Sequence, residues 1–404
     1  MTAPARKAGA HHAVLVGFLG WTLDAFDFFV IVFLYDTLAA EFHVTKKAIV
    51  FTTTATLALR PVGALLFGLL ADRFGRRIPL MANVIYFSLI ELACGFASNY
   101  TVFLILRALF GIGMGGEWGV GASLAMEAAP PRWRGMLSGI LQSGYSNGYL
   151  LAAAAARFVL PTLGWRWMFW LGALPALLAL YIRTRVPESE AWQQHRVESM
   201  KQVLKIVARS WKRFAYLVVL MTFMMFLSHG TQDLYPDFLK EIHKVKATRV
   251  ADIAMIYNVS AVVGAILFGA LSQSLGRRMG MMAALGWCLL VIPWWAFGGS
   301  VAVIVVAAVF MQIGVQGAWG VIPVHLNELA ADAARGLMPG LAYQLGILFA
   351  SPTNTIQYAL RERFGYKCAL GGFEIVTIVS LALLLWRGAE AYGKPFLRES
   401  PAAS

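Results

Sequence analysis

Long apolar runs alternate with short polar breaks from about residue 13 to residue 387. The runs fall at about 13–35, 49–71, 79–98, 101–127, 134–160, 166–183, 214–239, 250–272, 279–298, 300–328, 336–360 and 367–387. Each holds roughly 20 residues, enough to cross a ~30 Å hydrocarbon layer as a helix. Barrel strands are shorter, ~10 residues, and alternate apolar with polar positions, so the runs argue against a barrel. The pattern predicts an all-α membrane protein of 12 transmembrane helices, segments 1 to 12 below.

The pattern also repeats. The stretch RPVGALLFGLLADRFGRR, Arg60 to Arg77, returns 201 positions later as AVVGAILFGALSQSLGRR, Ala261 to Arg278, with ten of 18 positions identical. The same offset pairs Glu127 with Glu328, Arg134 with Arg335 and Gly135 with Gly336. A constant offset without gaps marks a duplicated unit. It predicts two pseudo-symmetric six-helix halves, 1–185 and 214–404, joined by a basic linker at 186–213. The linker is expected to be helical and held at the inner membrane surface by anionic lipid headgroups.

Only 14% of residues are charged, against roughly 25% in soluble domains. That is too little charge to cover a soluble surface. The net charge of +13 follows the bias of Lys and Arg toward cytoplasmic loops, and no nucleic-acid partner is expected. The sorting places both termini inside. Three scattered cysteines form no readable disulfide framework or metal motif. The glycine-rich run Gly111 to Gly121 lies within a span and reads as helix packing, not as a phosphate loop. No cofactor is expected.

Ionisable groups inside a bilayer are costly, and by default they carry function. Asp24 and Asp27 lie roughly 16 and 21 Å up segment 1 at ~1.5 Å per residue, Arg60 about 18 Å above the inner end of segment 2, and Arg107 about 20 Å above the inner side. Two acids and two bases therefore share a middle layer. At the repeat offset they meet Met225, Ser228, Ala261 and Ala308, so these charges belong to one half only and are not scaffold. A mutual neutralisation of Asp27 and Arg60 remains the structural alternative. Glu117 and Glu91 are further buried acids without a clear partner. In segment 7, His229, Gln232 and Asp233 share one face at i, i+3 and i+4, and a His–Asp pair can hold and release a proton in the physiological range. Gln312, Gln316 and Trp319 form a stripe on segment 10, as ligand donors or as interhelical glue. Tyr145 and Asn147 on segment 5 are weaker candidates of the same kind.

The motif Gly68-x-x-x-Asp72-Arg73-x-Gly75-Arg76-Arg77 resembles the loop between the second and third helices of the major facilitator superfamily. In the second copy Gln273 and Ser274 replace the Asp-Arg pair. Segment 7, with Ser228, His229, Thr231, Gln232 and Asp233, resembles the signature of the fungal lactate/pyruvate–proton permeases, departing from it at Met225 and Asp237. The runs Gln312 to Pro323 and Tyr343-Gln344 are similar to the same group, which sits with bacterial sialate–proton symporters. The resemblance implies the major facilitator fold, substrate contacts from Arg60 and Gln344, and proton coupling by His229 and Asp233. It implies gating by Gly68, Asp72, Arg73, Gly75, Arg76 and Arg77.

These readings combine into one expectation: a monomeric inner-membrane symporter importing a small monocarboxylate, lactate or pyruvate in type, with a proton. Arg60 would meet the carboxylate, with Arg107 as second choice. His229, Asp233, Asp24, Asp27 and Glu117 are the candidate proton carriers. The rivals are a symporter for sialate or another organic acid and a non-transporting carboxylate sensor. A membrane enzyme lacks any catalytic motif in this sequence.

Overall fold

A computed structural model describes residues 3–397. All regular structure among them is helical. Ten stretches are long and apolar enough to cross a membrane. Two features bring the ten to the expected twelve. The stretch Met338–Arg387 is two spans, turned at Gly365, whose φ of 77° suits only glycine well. Arg134–Phe158 is the other, a full-length helix with too many Gly, Ser, Gln and Asn residues to count as apolar. It is buried between the halves rather than set against lipid.

The spans are numbered in chain order. Spans 1 to 5 are Ala3–Glu41, Lys46–Phe74, Arg77–Cys94, Tyr100–Ala128 and Arg134–Phe158. Span 6 is broken at residues 172–174 into Trp165–Leu171 and Pro175–Arg185. Span 7 is Trp211–Gln232, continued by Tyr235–Glu241. Spans 8, 9 and 10 are Ala247–Leu275, Arg277–Phe297 and Val301–Leu329. Span 11 is Met338–Ala350, bent at Ser351-Pro352 and continued to residue 364, and span 12 covers 366–387. Pro352 cannot donate a backbone hydrogen bond, which allows the bend.

Within the first half, spans 2 and 4 approach closely. A side chain at Gly111 would strike the Thr56 backbone, and one at Gly115 the Arg60 backbone. Close backbone approach between small residues is what holds helices together where no hydrophobic effect separates helix from lipid. It also fixes the height of Arg60 in the bundle.

The linker is helical, as expected. Its helices, Glu190–His195 and Met200–Arg209, pack on the protein itself. Trp192 Nε1 donates to the Asp72 carbonyl at 2.8 Å, Arg73 donates to the Val197 carbonyl at 3.2 Å, and Ser189 Oγ donates to Glu127 at 2.5 Å. The linker is a clamp on the motif loop. Charge composition says nothing of these backbone acceptors.

Candidate functional site

The two halves meet at one end of the bundle through a pair of related latches. In the first, Asp72 accepts from the Gly336 and Leu337 N–H groups, at 2.7 and 3.0 Å, just ahead of span 11. A carboxylate at a helix N-terminus satisfies orphan N–H groups and the helix dipole together. Arg76 binds Asp72 at 2.5 Å and Glu127 at 3.0 Å, and Arg335 of the other half lies 3.8 Å from Glu127. In the second latch Gln273 accepts from Gly135 N–H at 3.0 Å, Arg277 binds Glu328 at 3.0 Å, and Arg134 of the first half lies 3.8 Å from Glu328. Gln273 therefore keeps the acceptor role of Asp72 without its charge. Its replacement of aspartate is not a loss of the latch. Glu127 and Glu328 were visible in the repeat as an offset pair; their latch role was not.

Of the other motif residues, Arg77 donates to the Arg183 carbonyl and Gly75 has a φ of 103°. Gly68 packs against Leu337 of the second half, 2.8 Å from its would-be Cβ to the Leu337 Cα. The chain beyond span 12 closes this end further. Phe396 lies under the Arg134 and Arg335 guanidinium groups, 4.0 and 4.2 Å from its ring centre. Lys394 accepts from Arg134 through its carbonyl at 3.2 Å and pairs with Asp332 at 2.8 Å.

Above the latches lies an aromatic layer. Tyr343 of span 11 packs on Trp118 at 4.4 Å, Trp319 at 5.7 Å and Trp21 at 6.1 Å between ring centres. Tyr145 stacks on Trp21 at 5.5 Å. Arg60 comes next, its guanidinium 6.0 Å from the Tyr343 ring. It is buried, at 4% exposure, and its Nε and Nη2 have no hydrogen-bond partner. Of the charges acting on Asp24, Arg60 is the strongest, yet both Asp24 oxygens are unbonded. Gln344 is buried beside this layer with its amide unbonded.

The expected alternative pairing of Arg60 with Asp27 does not form. The charges around Asp27 are Glu91, Asp24 and Arg107. Arg107 is itself taken: its Nη1 binds Glu91 at 2.9 Å, both side chains fully buried. Glu91 thus has the partner that sequence spacing did not reveal, since spans 3 and 4 meet only in the folded bundle. Arg107, the second choice for the carboxylate, is committed, and Arg60 is not. Glu117 packs against Gly20, with neither oxygen bonded.

The span 7 cluster forms as its spacing predicts. His229 Nδ1 lies 3.1 Å from Asp233 Oδ2, and the two side chains remain 42% and 33% accessible. They face the end opposite the latches. Arg60 acts on His229, and Arg60, Asp233 and Asp24 all act on Tyr145. Trp21, Tyr145 and Arg60 of the first half and Trp319 and Tyr343 of the second meet in one layer. Gln232 donates to Gln312 at 3.2 Å and Gln312 to Thr231 at 3.4 Å, so the glue reading of Gln312 is realised. Gln316 is buried one turn closer to the latches. Asn147 spends its amide on the Ser143 carbonyl of its own helix.

Comparison with known proteins places this geometry. The family model described as Major Facilitator Superfamily matches residues 17–246, and that described as Sugar (and other) transporter matches residues 213–402. A Saccharomyces cerevisiae protein named carboxylic acid transporter protein homolog is 29% identical over 377 residues, covering 86% of this chain and 61% of that protein's length. The sialic acid transporter NanX of Escherichia coli is 25% identical over 97% of this chain and 95% of its own. The putative niacin/nicotinamide transporter NiaP of Bacillus subtilis is 28% identical over 92% and 94%. Among solved structures, the proton:xylose symporter XylE superposes with a TM-score of 0.78 at 20% identity, over 96% of this chain and 98% of that one. The likeness to XylE is one of fold.

Proposed function

The chain belongs to the major facilitator superfamily, and from that premise we propose that it is a proton-coupled symporter importing a small monocarboxylate across the inner membrane. The observation that carries the reading is Arg60: a buried guanidinium in the middle layer with two unbonded N–H positions and no carboxylate hydrogen-bonded to it. A planar guanidinium fork matches a carboxylate bidentately. Among the relatives, one is named a carboxylic acid transporter protein homolog and another a sialic acid transporter, names in keeping with an organic-acid substrate.

In this reading the latched end faces the cytoplasm, with both termini, and the His229–Asp233 end faces outward. The substrate carboxylate reaches Arg60 from outside and displaces the field of that arginine from Asp24. Asp24 then takes a proton, with His229 and Asp233 relaying it from the outer mouth. Opening of the Asp72 and Gln273 latches with closure of the outer end completes alternating access. The test is counterflow of labelled lactate in proteoliposomes against a panel of unlabelled acids, with and without a protonophore. Exchange with monocarboxylates, and gradient-driven accumulation that collapses with the protonophore, is expected. Accumulation that survives the protonophore on a sodium gradient overturns the coupling, and absence of any exchange overturns transport of these acids.

A further inference from the structure

One buried carboxyl takes no part in the account so far. Glu374 of span 12 is fully buried, with neither oxygen hydrogen-bonded. It occupies the space where Gly230 of span 7 has no side chain; a Cβ there would collide with its Oε1. Gln357 reaches the same point, donating to the Gly230 carbonyl at 2.8 Å while its own Oε1 is unbonded. Gly230 follows directly on His229.

The first half has the same arrangement with the helices exchanged. Asp27 of span 1 fills the space left by Gly172 at the break in span 6, where Glu91 also converges. The offset of 201 carries residue 27 to 228 and residue 172 to 373, within two positions of Gly230 and Glu374. Each half therefore sets an acid against a glycine where its first and sixth helices touch. The acid rides on the first helix in one half and on the sixth in the other.

We infer that Glu374, set against a glycine as Asp27 is in the first half, is a proton-binding residue of the second half, and that it binds one proton per transport cycle beside the one Asp24 takes. The inference rests on the proton-coupled reading above. Glu374 faces Gly230 of span 7, and Gln357 reaches the same glycine; His229 and Asp233 lie along span 7 and pair with each other, and Cys288 of span 9 lies within range of the carboxyl's charge. Arg277 and Arg278 of span 9 lie about 15 Å toward the latches at ~1.5 Å per residue. None of them pairs with the carboxyl. An unpaired carboxylate is costly among apolar helices, and a bound proton removes that cost. A shift of span 7 against span 12 would open Glu374 toward His229 and let the proton leave.

Two measurements test this. Purified wild-type protein is treated with N,N′-dicyclohexylcarbodiimide, which adds to protonated carboxyls in apolar surroundings, and the adducts are mapped by mass spectrometry across pH. Labelling of Glu374 that falls as pH rises is expected; no labelling, or labelling independent of pH, overturns protonation. The second follows steady-state accumulation of labelled lactate against the imposed pH gradient. Glu374→Gln should keep exchange at equal pH but lose about tenfold accumulation per pH unit, one proton's share, and Glu374→Asp should retain the wild-type slope. Equal slopes in wild type and Glu374→Gln, or equal loss in both variants, overturns the role. A wild-type slope of zero would overturn the parent reading, and with it the coupling, while the labelling result would still judge the protonation itself.

Discussion

Arg60 and Arg107 lie about two helical turns apart in height and differ in company. Arg107 is bound by Glu91 at 2.9 Å, and removing one member of a buried pair strands the other charge, at a cost of about 3–5 kcal/mol. Arg107→Ala should therefore lower the unfolding temperature strongly, as read by a thermal-shift assay in detergent. Arg60→Ala strands no hydrogen-bonded partner. It should leave the melting temperature within a few degrees of wild type while weakening lactate binding by about 10- to 100-fold, the worth of about 1.5–3 kcal/mol for charge-assisted hydrogen bonds. Arg60→Lys keeps the charge without the fork and should fall between. Normal binding in Arg60→Ala, with loss confined to stability, would contradict the anchor. Helical rise put both arginines in one middle layer, whereas Gly115 packs on the Arg60 backbone and Arg107 lies eight residues earlier on span 4, about 12 Å further from the latches. Sequence had no means of separating them, because the deciding neighbour, Glu91, comes from another helix.

Among the elements, the latches and the chain segments that cover them set the closed end. Asp72→Asn removes the charge from a carboxylate serving two N–H groups and one guanidinium, whereas Gln273 performs its half of the task neutral. Asp72→Asn should slow net transport several-fold with little change in lactate affinity; a large affinity loss with normal cycling would contradict a gating role. Phe396→Ala removes a ring shared by Arg134 and Arg335, at about 0.5–2 kcal/mol per cation–π contact. It should speed hydrogen–deuterium exchange at the Gly336 and Leu337 amides that Asp72 holds, and unchanged exchange there would contradict the tail's role in closing this end. The tail also carries a pH dependence. Burial would raise the Asp332 carboxyl, but the Lys394 hydrogen bond and the charges of Arg335, Lys394 and His195 outweigh it and hold the carboxyl below its ordinary value. Its stabilisation is then fully present above the unfolded value of about 3.9 and is lost as pH falls through the lower, folded one. Proteolytic trimming of residues after 390 should accelerate only in that acidic window. The motif loop was legible in the sequence because the repeat displayed it twice. The linker clamp and the tail were not, since their contacts run to backbone carbonyls and aromatic faces, which no residue pattern announces.

At the scale of the whole molecule, the duplicated halves and their helices followed from hydropathy and the 201-residue offset, because bilayer thickness and backbone hydrogen bonding leave few alternatives. Span 5 escaped a purely apolar criterion because it faces the other half rather than lipid. The site was legible where one helix face carries it, as with His229 and Asp233, and illegible where distant helices converge, as at Gly230 and Glu374. The central claim is that a carboxylate arriving at Arg60 releases an aspartate to bind a proton. It is tested most directly by adding lactate to purified carrier in weakly buffered detergent and following bulk pH with a dye, for wild type and for Arg60→Ala. Lactate should draw protons from solution in the wild type, with an amplitude that saturates along the binding curve, and should draw none in Arg60→Ala. Saturable lactate binding without proton uptake in the wild type, or undiminished proton uptake in Arg60→Ala, would contradict the account.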